Sequence, residues 1–419
     1  MMISIKELYS LYKKNFLVDT DTRKIRKESI FFALKGDNFN GNLFADEALT
    51  KGASYAIVDE IYSDNPNVFL VDNVLKTLQD LANYHRKELG IPVIALTGSN
   101  GKTTTKELIN CVLSKKFKTY ATQGNLNNHI GVPLTLLSID KTIEFAVVEM
   151  GANHIGEIST LTSIVEPDYG YITNFGKAHL EGFGSEEGVI KGKSELYRFI
   201  KANNKTVFVN QQDEKQVELT EGFNRLFFDD SISFLKADPF VEFNFNKLKV
   251  SSNLIGFYNY TNIAIACTIG KYFKIDTESI IDAIKNYIPS NNRSQVINTP
   301  NNTILLDAYN ANPSSMEVAI TNFKNLKSDS KYLILGDMFE LGVNSLQEHQ
   351  KLVDKLKLNG FKEVYLLGEN FFKTNTNYNK FKCFNEFKNA FENNQISNAY
   401  FLIKGSRGMA LERVLEFIN

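Results

Sequence analysis

The chain has 419 residues, more than one typical domain holds, so about two to four domains are expected. With 43% hydrophobic residues, 23% charged residues and a formal net charge of -1, it reads as a globular protein without general affinity for nucleic acid or acidic membranes. Cys111, Cys267 and Cys383 lie far apart with no metal-ligand spacing, no apolar run is long enough to span a bilayer, and Lys6, Lys13 and Lys14 interrupt anything like a signal peptide. A reducing, cytoplasmic setting is therefore expected.

Residues 1–88 form a first unit. Residues 5–12 predict a short amphipathic helix, and residues 29–36 a strand that ends at a turn. A polar loop follows at 37–42, then a helix at 44–52, strands at 56–59 and 68–71, and a helix at 74–89. This alternation suggests a small α/β domain. The polar loop is an ordinary surface loop or, alternatively, a ligand contact.

The central unit, residues 89–296, holds the stretch that the rest serves. Residues 91–96 predict a short buried strand, and 103–113 a helix with apolar positions at Leu108, Ile109, Val112 and Leu113. Between them runs T-G-S-N-G-K-T-T-T over residues 97–105. Gly98 and Gly101 let the backbone curl its N–H groups toward an anion, and the helix N-terminus adds partial positive charge. Lys102 can reach the β- and γ-phosphates of a nucleotide, and the Thr103 hydroxyl a Mg²⁺ ion. The longer form of this loop has a glycine where Leu96 stands. A plain turn with a solvated lysine is the alternative; two glycines, a lysine and three threonines at one strand–helix junction favour phosphate binding.

Residues 123–133 are dense in amides and carry His129, which suits either turns or contacts to phosphate and metal. Residues 144–150 predict a buried strand with Glu149 at its C-terminal end, placed either in water or on Mg²⁺ beside the phosphate loop. Another strand is expected at 169–174, followed by a loop with Lys177, His179 and Glu181. One helix is expected at 186–200, with Lys191 and Lys193 as surface charges by their residue type alone. A strand at 205–209, an antiparallel hairpin or edge strand within 240–250, and helices at 257–272 and 277–288 complete the unit. Asn259 and Asn262 fall on one face of the first of these helices.

The last unit, 297–419, predicts strands at 303–307, 332–336, 363–367 and 399–404, and helices at 313–326, 345–358 and 408–418. That is a second doubly wound α/β domain. Asp307, the segment 336–342 (G-D-M-F-E-L-G) and the segment 404–408 (K-G-S-R-G) all sit beyond strand ends on one edge of its sheet.

Together these motifs resemble one family. The T-G-S-N-G-K-T-T loop, the strand-end E-M-G at 149–151 and N-F-G-K-A-H-L-E-G-F-G at 174–184 are similar to those of the Mur ligases. D-A-Y-N-A-N-P at 307–313, L-G-D-M-F-E-L-G at 335–342 and I-F-F-A-L-K-G at 30–36 resemble the branch that joins D-alanyl-D-alanine to UDP-N-acetylmuramoyl-tripeptide. The resemblance implies an α/β fold of three domains: a UDP-sugar-binding domain (1–88), a central P-loop ATPase domain (89–296) and a Rossmann-like C-terminal domain that admits the amino substrate (297–419). It implies an ATP-dependent ligase of peptidoglycan precursor synthesis, using Mg²⁺ and an acyl-phosphate intermediate, cytoplasmic and monomeric.

Carried over by position, Gly98, Asn100, Gly101, Lys102, Thr103 and Thr104 would bind the nucleotide phosphates. Thr103, Glu149 and His179 would hold Mg²⁺. Asn259 and Asn262 would contact the nucleotide, Arg293 the γ-phosphate and Asp307 the ribose. Lys193 matches a lysine that is commonly carbamylated in the family, and it joins Lys102, His179 and Arg293 as a catalytic residue. Thr22, Arg23, Lys35 and Asn42 would lie near the UDP-sugar, and Asn310 and Asn312 near substrate. Two positions depart from the family pattern: Tyr258 precedes Asn259 where histidine is frequent, and Asn40-Gly41-Asn42 replaces a D-G-H turn. A MurE-type ligase or a folylpolyglutamate-synthetase-like ligase is the nearest alternative, and a nucleotide-dependent scaffold protein the alternative of a different class. The Asp-Asn-Pro-Arg motif typical of the MurE type is absent from the sequence.

Overall fold

The structure, a computed structural model, describes residues 3–290, 292–392, 394 and 396–418. Its first sheet is wholly parallel, in the order Val18–Asp19, Ile30–Phe32, Tyr55–Val58, Val68–Leu70. The strand expected over 29–36 is shorter than its apolar run. Ile30–Phe32 stays in the sheet, while Lys35–Gly36 pairs back on Phe39–Asn40 as a small hairpin. Helix Val74–Leu89 ends at Gly90, whose φ of 63° makes the left-handed cap. It packs against the helices Gly131–Leu136 and Glu157–Val165 of the central region as well as Ile5–Tyr12.

The central sheet has six parallel strands, in the order Asn224–Phe227, Thr206–Val209, Tyr169–Ile172, Val93–Thr97, Phe145–Glu149, Thr119–Ala121. Val93–Thr97 and Phe145–Glu149 are buried at every position, as the apolar runs 93–96 and 145–148 require of strands covered on both faces. Because Val93–Thr97 lies in the middle, the loop at its C-terminal end is flanked by the ends of both neighbours. Leu96 pairs with Glu149 and Thr97 with Ile172. Strands Ile232–Ala237, Phe240–Phe245 and Leu248–Ile255 add an antiparallel sheet, which agrees with the expected hairpin.

The helix expected over 186–200 is two helices, Glu186–Lys193 and Glu195–Ala202, parted at Ser194. In an unbroken helix, Lys193 and Glu195 would point about 160° apart. The break lets both turn inward, at 0% and 3% exposure. The C-terminal helix expected over 408–418 is instead 3₁₀ turn, Arg407–Met409 and Leu411–Glu416. Its buried residues, Leu411 and Val414, are three apart, which matches a three-residue turn.

The C-terminal sheet runs Gln295–Asn298, Asn302–Asp307, Ala399–Lys404, Lys331–Gly336, Glu363–Leu367, Asn379–Phe381, with only the first strand antiparallel. Asp307 and Lys404 are register partners at its C-terminal edge. Helix Pro313–Asn325 starts there with proline at its first turn and an Asn312–Ser315 capping box. Among the described residues no helix is long and apolar enough to cross a membrane.

Candidate active site

The C-terminal edges of the central and C-terminal sheets face each other across a cavity of about 1150 Å³. Its wall includes Asn100, Gly101, Lys102, Thr103 and Thr104 from the phosphate loop, and Glu149, His179, Asn259 and Asn262 from the rest of the central region. Arg293, Asp307, Asn310 and Asn312 come from the C-terminal side. So the structure brings most of the residues expected to act on the nucleotide to one place.

The loop is shaped by two glycines. Gly98 has φ 143°, and a Cβ there would fall 2.0 Å from the Thr173 hydroxyl oxygen; Gly101 has φ 78° and faces the Asn262 amide. The Thr173 hydroxyl and the Asn174 amide donate to the Asn100 carbonyl at 2.6 and 3.0 Å, which pins the loop to the neighbouring strand. Lys102 folds back so that its ammonium donates to the Gly98 carbonyl at 2.8 Å. Burial lowers its pKa, and Glu149 opposes that fall.

Glu149 is 1% exposed. One carboxylate oxygen accepts from the Thr103 hydroxyl at 2.9 Å and the other from the Asn127 amide at 2.9 Å. Among the described residues no group of three or more His, Cys, Asp or Glu forms a metal cage. One buried carboxylate beside a hydroxyl and a phosphate loop is a donor set that fits Mg²⁺, which takes one or two carboxylates and fills its shell with phosphate and water. His179 borders the same cavity, but its Nδ1 lies against the Glu340 carboxylate.

Lys193 is not a surface charge. It is fully buried behind the wall, its ammonium nitrogen donates to the Ala152 carbonyl at 2.8 Å, and it lies 5.0 Å from the centre of the Phe183 ring. Burial, then the charge of Lys102, pushes its pKa well below the ordinary lysine value. Glu195, in the same motif, accepts from the Gly156 and Ser159 N–H groups at 2.7 and 2.8 Å, and so caps helix Glu157–Val165 from outside.

Asn259 and Asn262 do share a face: the Asn262 amide donates to Asn259 at 2.8 Å and accepts from Thr105 at 3.0 Å. Both are buried, and Asn262 ties their helix to the helix after the phosphate loop. Tyr258, at the position that departs from the family pattern, shares a 2.6 Å hydrogen bond with Ser294. The Arg293 guanidinium is 3.6 Å from the centre of the Tyr309 ring. Asp307 is held by Lys404 at 2.5 Å and by the Ser294 N–H at 3.1 Å. The Asn312 amide donates to Asn100 at 2.8 Å, joining the C-terminal helix cap to the phosphate loop.

Thr22, Arg23, Lys35 and Asn42 lie in the N-terminal unit, outside this cavity wall. Arg23 is exposed and paired with Asp21. Lys35 is paired with Asp59 and Glu60, both at 2.9 Å. Asn42 is 1% exposed, and its amide donates to Asn40 and Asp59 at 2.9 and 2.8 Å.

The residue-level reading passed over Asn127, Glu340, Tyr309 and Lys404 as individual site residues. Each lies in a segment noted for its composition or its place beyond a strand end, but only packing shows which side chain of the segment turns to the site.

Comparison with known proteins gives the family. Residues 96–270 match the Mur ligase middle domain, and residues 292–406 match the Mur ligase glutamate ligase domain. The UDP-N-acetylmuramoyl-tripeptide–D-alanyl-D-alanine ligase of Bacillus subtilis (strain 168) is 31% identical, over 95% of this chain and 92% of that protein. The crystal structure of MurF from Acinetobacter baumannii aligns with a TM-score of 0.86 at 30% identity, covering 95% of this chain and 92% of that one. MurF ligase from Thermotoga maritima in complex with ADP aligns at 0.85 and 27% identity, covering 96% of each chain. On this likeness, which extends over nearly the whole length, the chain belongs to the Mur ligase family, in its MurF branch.

Proposed function

We propose that the chain uses ATP to join the amino group of D-alanyl-D-alanine to the peptide carboxylate of UDP-N-acetylmuramoyl-tripeptide, in peptidoglycan precursor synthesis in the cytoplasm. The observation that carries this reading is the single cavity that collects Lys102, Glu149, His179, Arg293 and Asp307 from two facing sheets. Relatives named for this reaction, and a solved neighbour that holds ADP, support it.

A carboxylate is a poor electrophile. Its oxygen attacks the γ-phosphorus of ATP, ADP leaves, and an acyl phosphate results. The amine nitrogen then attacks the activated carbonyl carbon. The tetrahedral intermediate expels phosphate and loses a proton from nitrogen, leaving an amide. Lys102 and Arg293 offset the negative charge that builds on the transferring group. The backbone from Gly98 to Thr104 cradles the phosphates, Asp307 takes the ribose, and Asn259 and Asn262 border the base. Thr103, Glu149 and His179 would hold Mg²⁺, which when bound neutralises phosphate charge. Asn310 and Asn312 stand where the amino substrate enters. Thr22, Arg23, Lys35 and Asn42 serve the UDP-sugar, with Asn42 acting through Asp59, to which it is bonded. The working division is into units 1–88, 89–296 and 297–419, in a monomer.

Lys193 carries a carbamate in this reading. Burial favours its neutral amine, whose lone pair is what adds to CO₂, and the product is an anion suited to a magnesium site. ¹³C-bicarbonate should give a carbamate NMR signal that vanishes in Lys193→Ala; its absence from the wild type under bicarbonate would remove the carbamate.

The reaction is tested by product assay. ADP and phosphate should form only when both UDP-N-acetylmuramoyl-tripeptide and D-alanyl-D-alanine are present. Equal turnover with free D-alanine or with glutamate would overturn the assignment.

A further inference from the structure

The loop after strand Tyr169–Ile172 meets the loop after strand Lys331–Gly336 where the central and C-terminal sheets face each other. The Glu181 N–H donates to the Glu340 carbonyl at 3.1 Å, and the Glu340 carboxylate lies against Nδ1 of His179. His179 has φ 53° and Glu340 φ 62°. Left-handed backbone is uncommon for residues that carry a Cβ, and it persists only where the surroundings impose it. Here two such residues, one from each side, turn their side chains onto each other. Two more bonds fasten the same boundary: Asn312 donates to Asn100 at 2.8 Å, and the Lys177 N–H donates to the Ser314 hydroxyl at 2.7 Å. The Nδ1 atom of His179, from the central region, thus lies against a carboxylate that belongs to the C-terminal region.

We propose that Glu340 is a positioning residue for His179: docking of the C-terminal domain brings in its carboxylate, which keeps the imidazole proton on Nδ1 and leaves the Nε2 lone pair for the divalent cation. A carboxylate behind a metal-binding histidine fixes the tautomer and the ring, and it raises the basicity of the ligating nitrogen. What sets this pair apart is that its halves lie on different domains. The site is complete only with the C-terminal domain in place, so metal affinity and domain docking are linked: each favours the other by the same factor. The inference rests on the reading of His179 as a metal ligand.

The test compares wild type, Glu340→Ala, Glu340→Gln and His179→Ala as full-length proteins. In the metal-free enzyme labelled with ¹⁵N-histidine, long-range NMR correlations report which ring nitrogen of His179 carries the proton, with His179→Ala supplying the assignment. Wild type should show the Nδ1–H form. Glu340→Ala should shift toward the Nε2–H form that free imidazole favours. Glu340→Gln should keep the Nδ1–H form, because an amide oxygen still accepts and the Glu181–Glu340 backbone bond is untouched. Mn²⁺ binding with ATP, followed by electron paramagnetic resonance, should weaken about tenfold or more in Glu340→Ala and less in Glu340→Gln. An unchanged tautomer and unchanged Mn²⁺ affinity in Glu340→Ala would overturn the proposal while His179 stands as a ligand. A Mn²⁺ affinity unaltered in His179→Ala would remove His179 from the metal site, and the proposal with it. Equal losses in Glu340→Ala and Glu340→Gln, with the tautomer kept in both, would reduce Glu340 to a domain contact and refute the positioning role.

Discussion

Truncating Glu195 to alanine removes the acceptor for the N–H groups of Gly156 and Ser159, part-buried bonds of 2.7 and 2.8 Å. Glu195 is 3% exposed, whereas Gly156 and Ser159 are exposed, so water takes over part of the lost bonding. Hydrogen bonds to a charged group contribute about 1.5–3 kcal/mol each, and with water reaching both donors the combined loss for the alanine variant falls at the low end, about 3 kcal/mol. Glutamine keeps one neutral acceptor, so Glu195→Gln should lose about half of that. The chain has several packed units, so a single unfolding midpoint is the wrong measure. Native-state hydrogen exchange reads the local loss directly: about 3 kcal/mol is ~150-fold faster exchange at Gly156 and Ser159 where they open locally. The effect should reach Lys193, since the segment that Glu195 caps continues from Ala152, whose carbonyl holds the lysine at 2.8 Å. Turnover should therefore fall in Glu195→Ala even though Glu195 borders no substrate. Unchanged exchange at both amides would refute the capping argument. Faster exchange with full activity would break its link to Lys193.

Lys102→Ala should lower kcat about a hundredfold or more while the circular dichroism spectrum holds, because the ammonium matters most as charge moves in the transition state; near-normal turnover would remove it from the mechanism. Asn312→Ala deletes both a helix cap and the 2.8 Å bond to Asn100; the cap alone is worth about 1 kcal/mol, and the lost bond should shift small-angle scattering toward a more open molecule without ligands. His85 is buried, with Nε2 2.7 Å from the Ile139 carbonyl and Nδ1 3.3 Å from the Tyr9 hydroxyl, and burial lowers its pKa. The unfolded chain takes up this proton below about pH 6.5 while the folded chain resists it, so stability is intact above that value and falls as pH drops through it. Opening free energies read by hydrogen exchange in helix Val74–Leu89 at pH 7 and pH 5 should differ less in His85→Gln than in wild type, and an equal difference would refute the assignment to this group.

The sequence by itself determined the alternation of strands and helices, and with it the doubly wound sheets. Val93–Thr97, Phe145–Glu149 and Tyr169–Ile172 are each contiguous and apolar, and local composition suffices to find such strands. The turn at 98–101 was legible for a similar reason: the curl that Gly98 and Gly101 permit between strand Val93–Thr97 and helix Lys102–Leu113 is local. Tertiary structure alone decided what depends on distant partners. Lys193 looks like any helical lysine until the break at Ser194 and the packing of Phe183 and Ala152 bury it. Glu195 becomes a helix cap only because Gly156 and Ser159 arrive from 36 to 39 residues away. The apolar run at 29–36 could not reveal that Lys35–Gly36 would leave the sheet to pair with Phe39–Asn40. Glu340 reaches His179 only where two sheets face each other. Periodicity and turn chemistry report a residue's immediate neighbours, whereas burial and pairing between side chains are set by which strand ends the fold brings to one edge.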